Sequence, residues 1–189
     1  MCGLHMAFCR LIGGGGKENH TLLWYTRLHT DMEVCKMSQT IDKYWRSFCQ
    51  SKGMPAGTAY SAFAFGDSAE MADRLGQLVL SGKKTGTSGA YDHYAEEPLP
   101  EKGDYQIVLN SQGEPLCVIQ NTDVDILPFR EITARHAEKE GEGDLSLTYW
   151  RNTHWHFFSK YHTLELEKEF TEDDLVVFET FVVVYPTTV

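Results

Sequence analysis

Ser81-Gly82-Lys83-Lys84-Thr85-Gly86-Thr87-Ser88-Gly89 is the stretch on which the fold turns. The residues before it are helical in pattern. Met71, Ala72, Leu75, Leu78 and Val79 recur on one helical face, and Asp67 with Glu70 three residues on resembles a capping box in which Asp replaces Ser or Thr. The spacing predicts a helix over 68–81, stopped by Gly82 in the left-handed conformation. Beyond that stop the chain reads as a strand. Two lysines beside a helix end answer the negative end of its dipole, which accounts for one of them. In an extended chain Lys84 points away from both Lys83 and Thr87. For Lys84 and Thr87 to serve one site, Gly86 has to re-aim the chain.

Upstream, Ile41, Tyr44, Trp45, Phe48 and Cys49 form one apolar helical face, with Ser38 or Thr40 as candidate cap and Gly53, Pro55 and Gly57 as the stop. In Tyr60 to Asp67, the rings of Phe63 and Phe65 share a side if the segment is extended. They pack a core, or else Tyr60 or Phe65 offers a stacking surface to a ligand ring. Residues 1–36 carry four consecutive glycines and no sustained period, so they are expected to be a disordered or non-native leader, with the domain over 37–189.

Downstream, Tyr91-Asp92-His93-Tyr94 opens a loop of hydrogen-bonding side chains, with Tyr91 a candidate substrate contact. A hairpin of strands comes next over 105–110 and 116–126, then a short helix from Thr133 to Glu140. Glu140-Gly141-Glu142-Gly143-Asp144 concentrates three carboxylates on an elbow. Like charges held close raise one another's pKa, which is how a general acid is made. The other readings are a solvated turn with Asp144 capping the next helix, and oxygen ligation of a hard cation. In the helix over 145–162, Leu147, Trp150, His154, Phe157, Phe158 and Tyr161 make a stripe in which His154 reads as a core group; Arg151 is placed to clamp an elbow carboxylate. Leu175 to Tyr185 is a long β-branched and aromatic run that belongs in the middle of a sheet. The whole predicts an α+β fold, a small curved and partly closed sheet flanked by helices.

The formal net charge is −10; without residues 1–36, which hold four basic and three acidic side chains, it is −11. An acidic domain repels a phosphate backbone, so small ligands are favoured over long nucleic acids as partners. Five cysteines with no Cys-x-x-Cys pair indicate neither a disulfide framework nor a zinc ribbon and suit a cytoplasmic protein with reduced thiols. No apolar run approaches the roughly 18 residues of a membrane span.

From Trp45 to Tyr185 the chain resembles the ASCH-domain proteins. The carrying motif is Gly-x-Lys-x-x-Thr, present as Gly82-Lys83-Lys84-Thr85-Gly86-Thr87, joined by Phe65-Gly66-Asp67, the Glu140 to Asp144 elbow with Ser146-Leu147, and Trp150-Arg151. The resemblance implies a PUA-like fold, a small mixed β-barrel or strongly curved sheet. Members of the family have been linked to RNA binding, and the bacterial N(4)-acetylcytidine amidohydrolases belong to it. Those enzymes use the lysine and threonine of the motif and a glutamate of a His-Ala-x-x-Glu segment. The matching positions are Lys84, Thr87 and Glu140, the last within His136-Ala137-Glu138-Lys139-Glu140. The resemblance therefore implies an amidohydrolase acting on a modified nucleoside, with Thr87 as nucleophile, Lys84 with a lowered pKa as its base and Glu140 as acid and base. Phe65, Asp67, Tyr91, Glu142, Asp144 and Arg151 are the candidate substrate contacts, and no metal or cofactor is called for. The alternatives are a non-catalytic RNA-binding module and a nucleoside sensor. Gly89 stands where the amidohydrolases carry arginine, and the amidohydrolases lack the elbow.

Overall fold

The computed structural model describes residues 11–13, 31–95 and 98–186. Two compact units share the chain: the first takes the described parts of 1–80, 104–120 and 183–189, the second 81–103 and 121–182. Strands β5 (Pro115–Pro128) and β6 (Leu175–Tyr185) contribute residues to both.

In the first unit, helix α1 (Asp31–Lys52) buries Ile41, Trp45, Phe48 and Cys49, the face that the periodicity marks. It begins ahead of Ser38 and Thr40, so neither is its cap; the Thr40 hydroxyl donates to the Lys36 carbonyl at 3.0 Å, a bond inside the helix. The leader expected over 1–36 falls mostly outside the described residues. Within it, β1 (Leu11–Gly13) lies antiparallel to β2 (Tyr60–Phe63), and α1 starts six residues before Met37. β2 runs parallel to β4 (Tyr105–Leu109), and α2 (Ala69–Leu80) stands between them in sequence, as a parallel pair requires a crossover. β4 turns back antiparallel onto β5.

Trp45 stacks on Tyr60 with ring centroids 4.5 Å apart, and the Tyr60 hydroxyl donates to Asp42 Oδ1 at 2.7 Å. Phe65 is 2% exposed and meets Phe63 edge-on at 4.8 Å, so the core reading of these aromatics is the observed one. Asp67 is exposed and does not cap α2; the Ser68 hydroxyl accepts from the Met71 amide at 3.2 Å instead. Cys49 and Cys117 are buried free thiols.

In the second unit, β3 (Gly86–Ala90) pairs antiparallel with β6, from Gly86 opposite Thr180 to Ala90 opposite Val176. β6 has β5 on its other side, which makes it the interior strand that its apolar run predicts. Helices α3 (Ala134–Glu140) and α4 (Leu147–Glu165) complete the unit. Its core holds Ala90, Phe129, Ala137, Trp150, Phe158, Phe170, Val176 and Phe178. Phe129 lies at the centre of the rings, 5.2 Å from Trp150 and 5.3 Å from Phe170. The fold is α+β with a mixed sheet. Among the described residues β1 and β3 each have a single strand neighbour, so the sheet they form is open, and of the two expected forms the closed barrel is not the one adopted. Among the described residues no helix is long and apolar enough to cross a membrane.

Candidate active site

The site is built where the stretch between α2 and β3 meets the end of α3. Gly82 has φ +71°, the left-handed stop expected of it, and β3 begins four residues further on. The Thr85 amide donates to the Lys139 carbonyl at 2.7 Å, which fastens this segment to the last turn of α3. α3 in turn stops at Gly141, with φ 70° and ψ 17°. The Lys83 carbonyl passes so close that a Cβ at 141 would lie 2.2 Å from its oxygen. Two glycine stops thus bring a lysine from one element to a glutamate of another.

Lys84 is 1% exposed, while its neighbour Lys83 is exposed. Its ammonium donates to Glu140 Oε2 and to Glu142 Oε1, each at 2.8 Å. Glu140, 2% exposed, has its other oxygen occupied as well: Oε1 accepts from the Ser88 hydroxyl at 2.5 Å and from the Trp150 indole at 2.7 Å. His154 stacks on Trp150 with centroids 4.2 Å apart and rings 15° from parallel, and its Nε2 lies 3.4 Å from Glu140 Oε1. Its Nδ1 is 3.0 Å from the Trp150 carbonyl, an oxygen that only accepts. With Nδ1 donating there, Nε2 carries a proton toward Glu140 only in the imidazolium form.

These contacts reverse the expected electrostatics. Burial alone pulls the Lys84 ammonium down, but the charges of Glu140 and Glu142 and their hydrogen bonds outweigh it and raise its pKa. Burial pushes Glu140 up, but the Lys84 charge first, then His154 and the bonds from Lys84 and Ser88, hold it well below its ordinary 4.5. Mutual repulsion of the elbow carboxylates was expected to make a general acid; the lysine inserted between two of them leaves Glu140 ionised instead. Lys84, expected to be a base with a lowered pKa, is an ammonium. The depressed pKa of Glu140 sets the sign of a pH dependence. Its contribution to stability is complete above pH 4.5 and is lost as pH falls below it, because the folded state then holds back a proton that the unfolded state takes up. Unfolding free energies measured from pH 6 downward will fall less steeply in Glu140→Gln than in the wild type.

Thr87 does not join this set. Side chains alternate along β3, so Gly86, Ser88 and Ala90 share the face toward Phe178 and Glu140, while Thr87 takes the other. There it stands opposite Glu179, which accepts from the Asn121 amide at 2.5 Å; Thr87, Glu179 and Asn121 are all buried. Gly86 was expected to re-aim the chain. It keeps the register instead, and its lack of a side chain leaves room for Phe178, whose ring tip lies 2.7 Å from where a Cβ would be.

Of the candidate contacts, Glu142 is in the site. Asp144 is exposed and its Oδ1 accepts from the Ser146 amide at 2.9 Å; Ser146, not Asp144, caps α4, by accepting from the Tyr149 amide at 3.0 Å. Arg151 does not clamp the elbow: its Nη2 donates to the Arg130 carbonyl at 2.7 Å and its guanidinium lies over the Phe129 ring at 5.7 Å. Tyr91 is 38% exposed at the start of a 3-10 turn and is not among the residues bonded to Glu140. Phe65 and Asp67 belong to the first unit. Ser88, Trp150 and His154 are members that the sequence reading passed over. Ser88 had a signal, since it follows Lys84 at strand spacing, as did the 150/154 pair at one helical turn.

The open mixed sheet flanked by helices is that of the PUA-like class of α+β domain. A family model for the ASCH domain matches residues 61–185, and the chain belongs to that family. It is similar to a crystal structure of a protein from Enterococcus faecalis, with 36% identity, TM-score 0.70 and coverage of 77% of this chain and 88% of that one. It is also similar to an ASCH domain from Lactobacillus crispatus, with 32% identity, TM-score 0.68 and coverage of 79% and 94%. No curated protein matches it.

Proposed function

We propose that the chain is an amidohydrolase that removes an acyl group from the exocyclic amine of a modified nucleoside or nucleobase, of which N(4)-acetylcytidine is the type. One observation carries the reading: in a buried site one carboxylate accepts from an ammonium on one oxygen and from a hydroxyl on the other, with the ammonium and the carboxylate at the motif positions Lys84 and Glu140. The attacking hydroxyl comes from β3. The family resemblance names Thr87, but its side chain lies on the face of β3 turned away from Glu140, so the hydroxyl taken here is that of Ser88, already bonded to Glu140.

The hydroxyl oxygen attacks the acyl carbonyl as its proton passes to Glu140. The Lys84 ammonium turns to the acyl oxygen and stabilises the negative charge that forms there. Glu140 then gives the proton to the exocyclic nitrogen as the C–N bond breaks, leaving an ester on the enzyme and the free base. Water, deprotonated by Glu140, cleaves the ester and restores the hydroxyl. While Lys84 sits on Glu140 the carboxylate is a poor base. Once the ammonium leaves it for the substrate oxygen, burial raises its pKa toward the working range. The positive charge comes from the lysine, so the steps call for no metal.

Purified chain incubated with N(4)-acetylcytidine is expected to release acetate. Glu140→Gln and Ser88→Ala should each lower kcat/KM by roughly 10²-fold or more, with Thr87→Ala near wild type. Absence of acetate release by the wild type, or equal release by all variants, would sink the proposal. A nucleoside bound without turnover would then favour a sensor, and steeply salt-dependent RNA binding an RNA-binding module.

A further inference from the structure

Away from the Lys84 site, three elements of the second unit bring ligand atoms together. Asp92 comes from the 3-10 turn after β3, His162 from the last turns of α4, and Asp174 from the residue before β6. One side-chain atom of each lies within 4.8 Å of the other two. His162 supplies the observation that points to a ligand. It is 1% exposed, and neither ring nitrogen has a hydrogen-bond partner, a costly arrangement for an imidazole in a core. Its Nε2 faces Asp92 Oδ2 at 3.6 Å. That spacing is close to the edge of a tetrahedron with metal–ligand bonds of about 2.1 Å, which is about 3.4 Å. Asp174 is held ready: its Oδ2 accepts from the Thr171 amide at 2.6 Å and from the Thr171 hydroxyl at 2.8 Å, which orients Oδ1 toward the cluster.

A cation already sits at the mouth. The Lys168 ammonium is 2.5 Å from Asp92 Oδ2 and 3.4 Å from Asp174 Oδ1, on a side chain 42% exposed. It answers the two carboxylates and leaves the imidazole unanswered. We propose that Asp92, His162 and Asp174 form a site for a divalent first-row transition ion, with Lys168 as a tethered competitor that swings out to solvent when the ion enters. One imidazole nitrogen and two carboxylate oxygens are donors suited to Zn2+, Co2+ or Mn2+, and the exposed side leaves positions for water. The site is independent of the hydrolase reading.

The test is a Co2+ titration of the full chain, read by calorimetry and by visible absorption. Thiolate ligation would add sulfur-to-cobalt charge transfer, which separates binding at the cysteines from binding here. One equivalent is expected to bind with a d–d band and no charge-transfer feature. Asp92→Asn and Asp174→Asn should each weaken binding at least tenfold, and Lys168→Met should strengthen it at least tenfold. These partly exposed positions avoid the folding risk of replacing His162. The inference is overturned if neither the wild type nor Lys168→Met binds Co2+ at millimolar concentration, if Asp174→Asn binds as well as wild type, or if the bound ion shows thiolate charge transfer.

Discussion

Lys84→Met lowers the free energy of unfolding by about 3–5 kcal/mol, the usual cost of removing one partner from a buried ion pair. The methionine fills much of the lysine's volume, so the loss is electrostatic rather than a cavity effect. It strands Glu140, 2% exposed, with the Ser88 hydroxyl and the Trp150 indole as its remaining neutral donors, and it brings back the repulsion between Glu140 and Glu142. The variant therefore takes up a proton near neutral pH that the wild type does not. Urea denaturation at two pH values measures both effects. The double variant Lys84→Met/Glu140→Gln is expected to lose less than the sum of the single losses, because the second change removes the charge that the first has exposed. Strict additivity of the two would mean that the pair is not coupled as its geometry indicates.

Gly141→Ala is the second large loss, about 3 kcal/mol. Left-handed backbone costs an L-residue roughly 1–2 kcal/mol, and the new methyl group would stand 2.2 Å from the Lys83 carbonyl oxygen and 3.0 Å from the Lys84 amide nitrogen. These are backbone atoms and cannot turn aside like a side chain, so overpacking adds about 1–3 kcal/mol. The strain falls on the segment that delivers Lys84. Gly82→Ala is the control: φ is nearly the same at +71°, but nothing lies within 4 Å of the added carbon, so its loss is that of backbone strain alone. Thermal unfolding of the two variants side by side separates conformation from close approach. Equal losses would show that close approach adds nothing at Gly141.

Local patterns carried much of the architecture. α2 spans Ala69–Leu80 against an expected 68–81, and β6 matches the expected Leu175–Tyr185 end for end, because periodicity and chain-breaking residues act over a few neighbours. The helix caps were less legible. Asp67 and Asp144 each stand close to a serine that caps instead, and the choice is decided by how the chain enters the helix. The motif singles out Lys84 and Glu140, and the structure brings the two side chains together, yet their charge states were not legible. A carboxylate cluster raises its own pKa until a cation enters it, and this cation comes from 56 positions away. Thr87 illustrates the limit of spacing. Its opposition to Lys84 in an ideal strand was apparent, and only the register with β6 shows that Gly86 leaves the strand straight.

Glu140 ties together the approach to β3, the strand itself and α4 through one carboxylate, and this restricts how the sequence can drift. A lone change at Lys84 strands a charge, and a lone change at Glu140 leaves Ser88 and Trp150 without their shared acceptor. Each single step leads downhill, while a simultaneous exchange of the pair for apolar residues need not. Descent by point mutation therefore meets a barrier at these two positions, and the lysine and the glutamate are expected to change together or not at all.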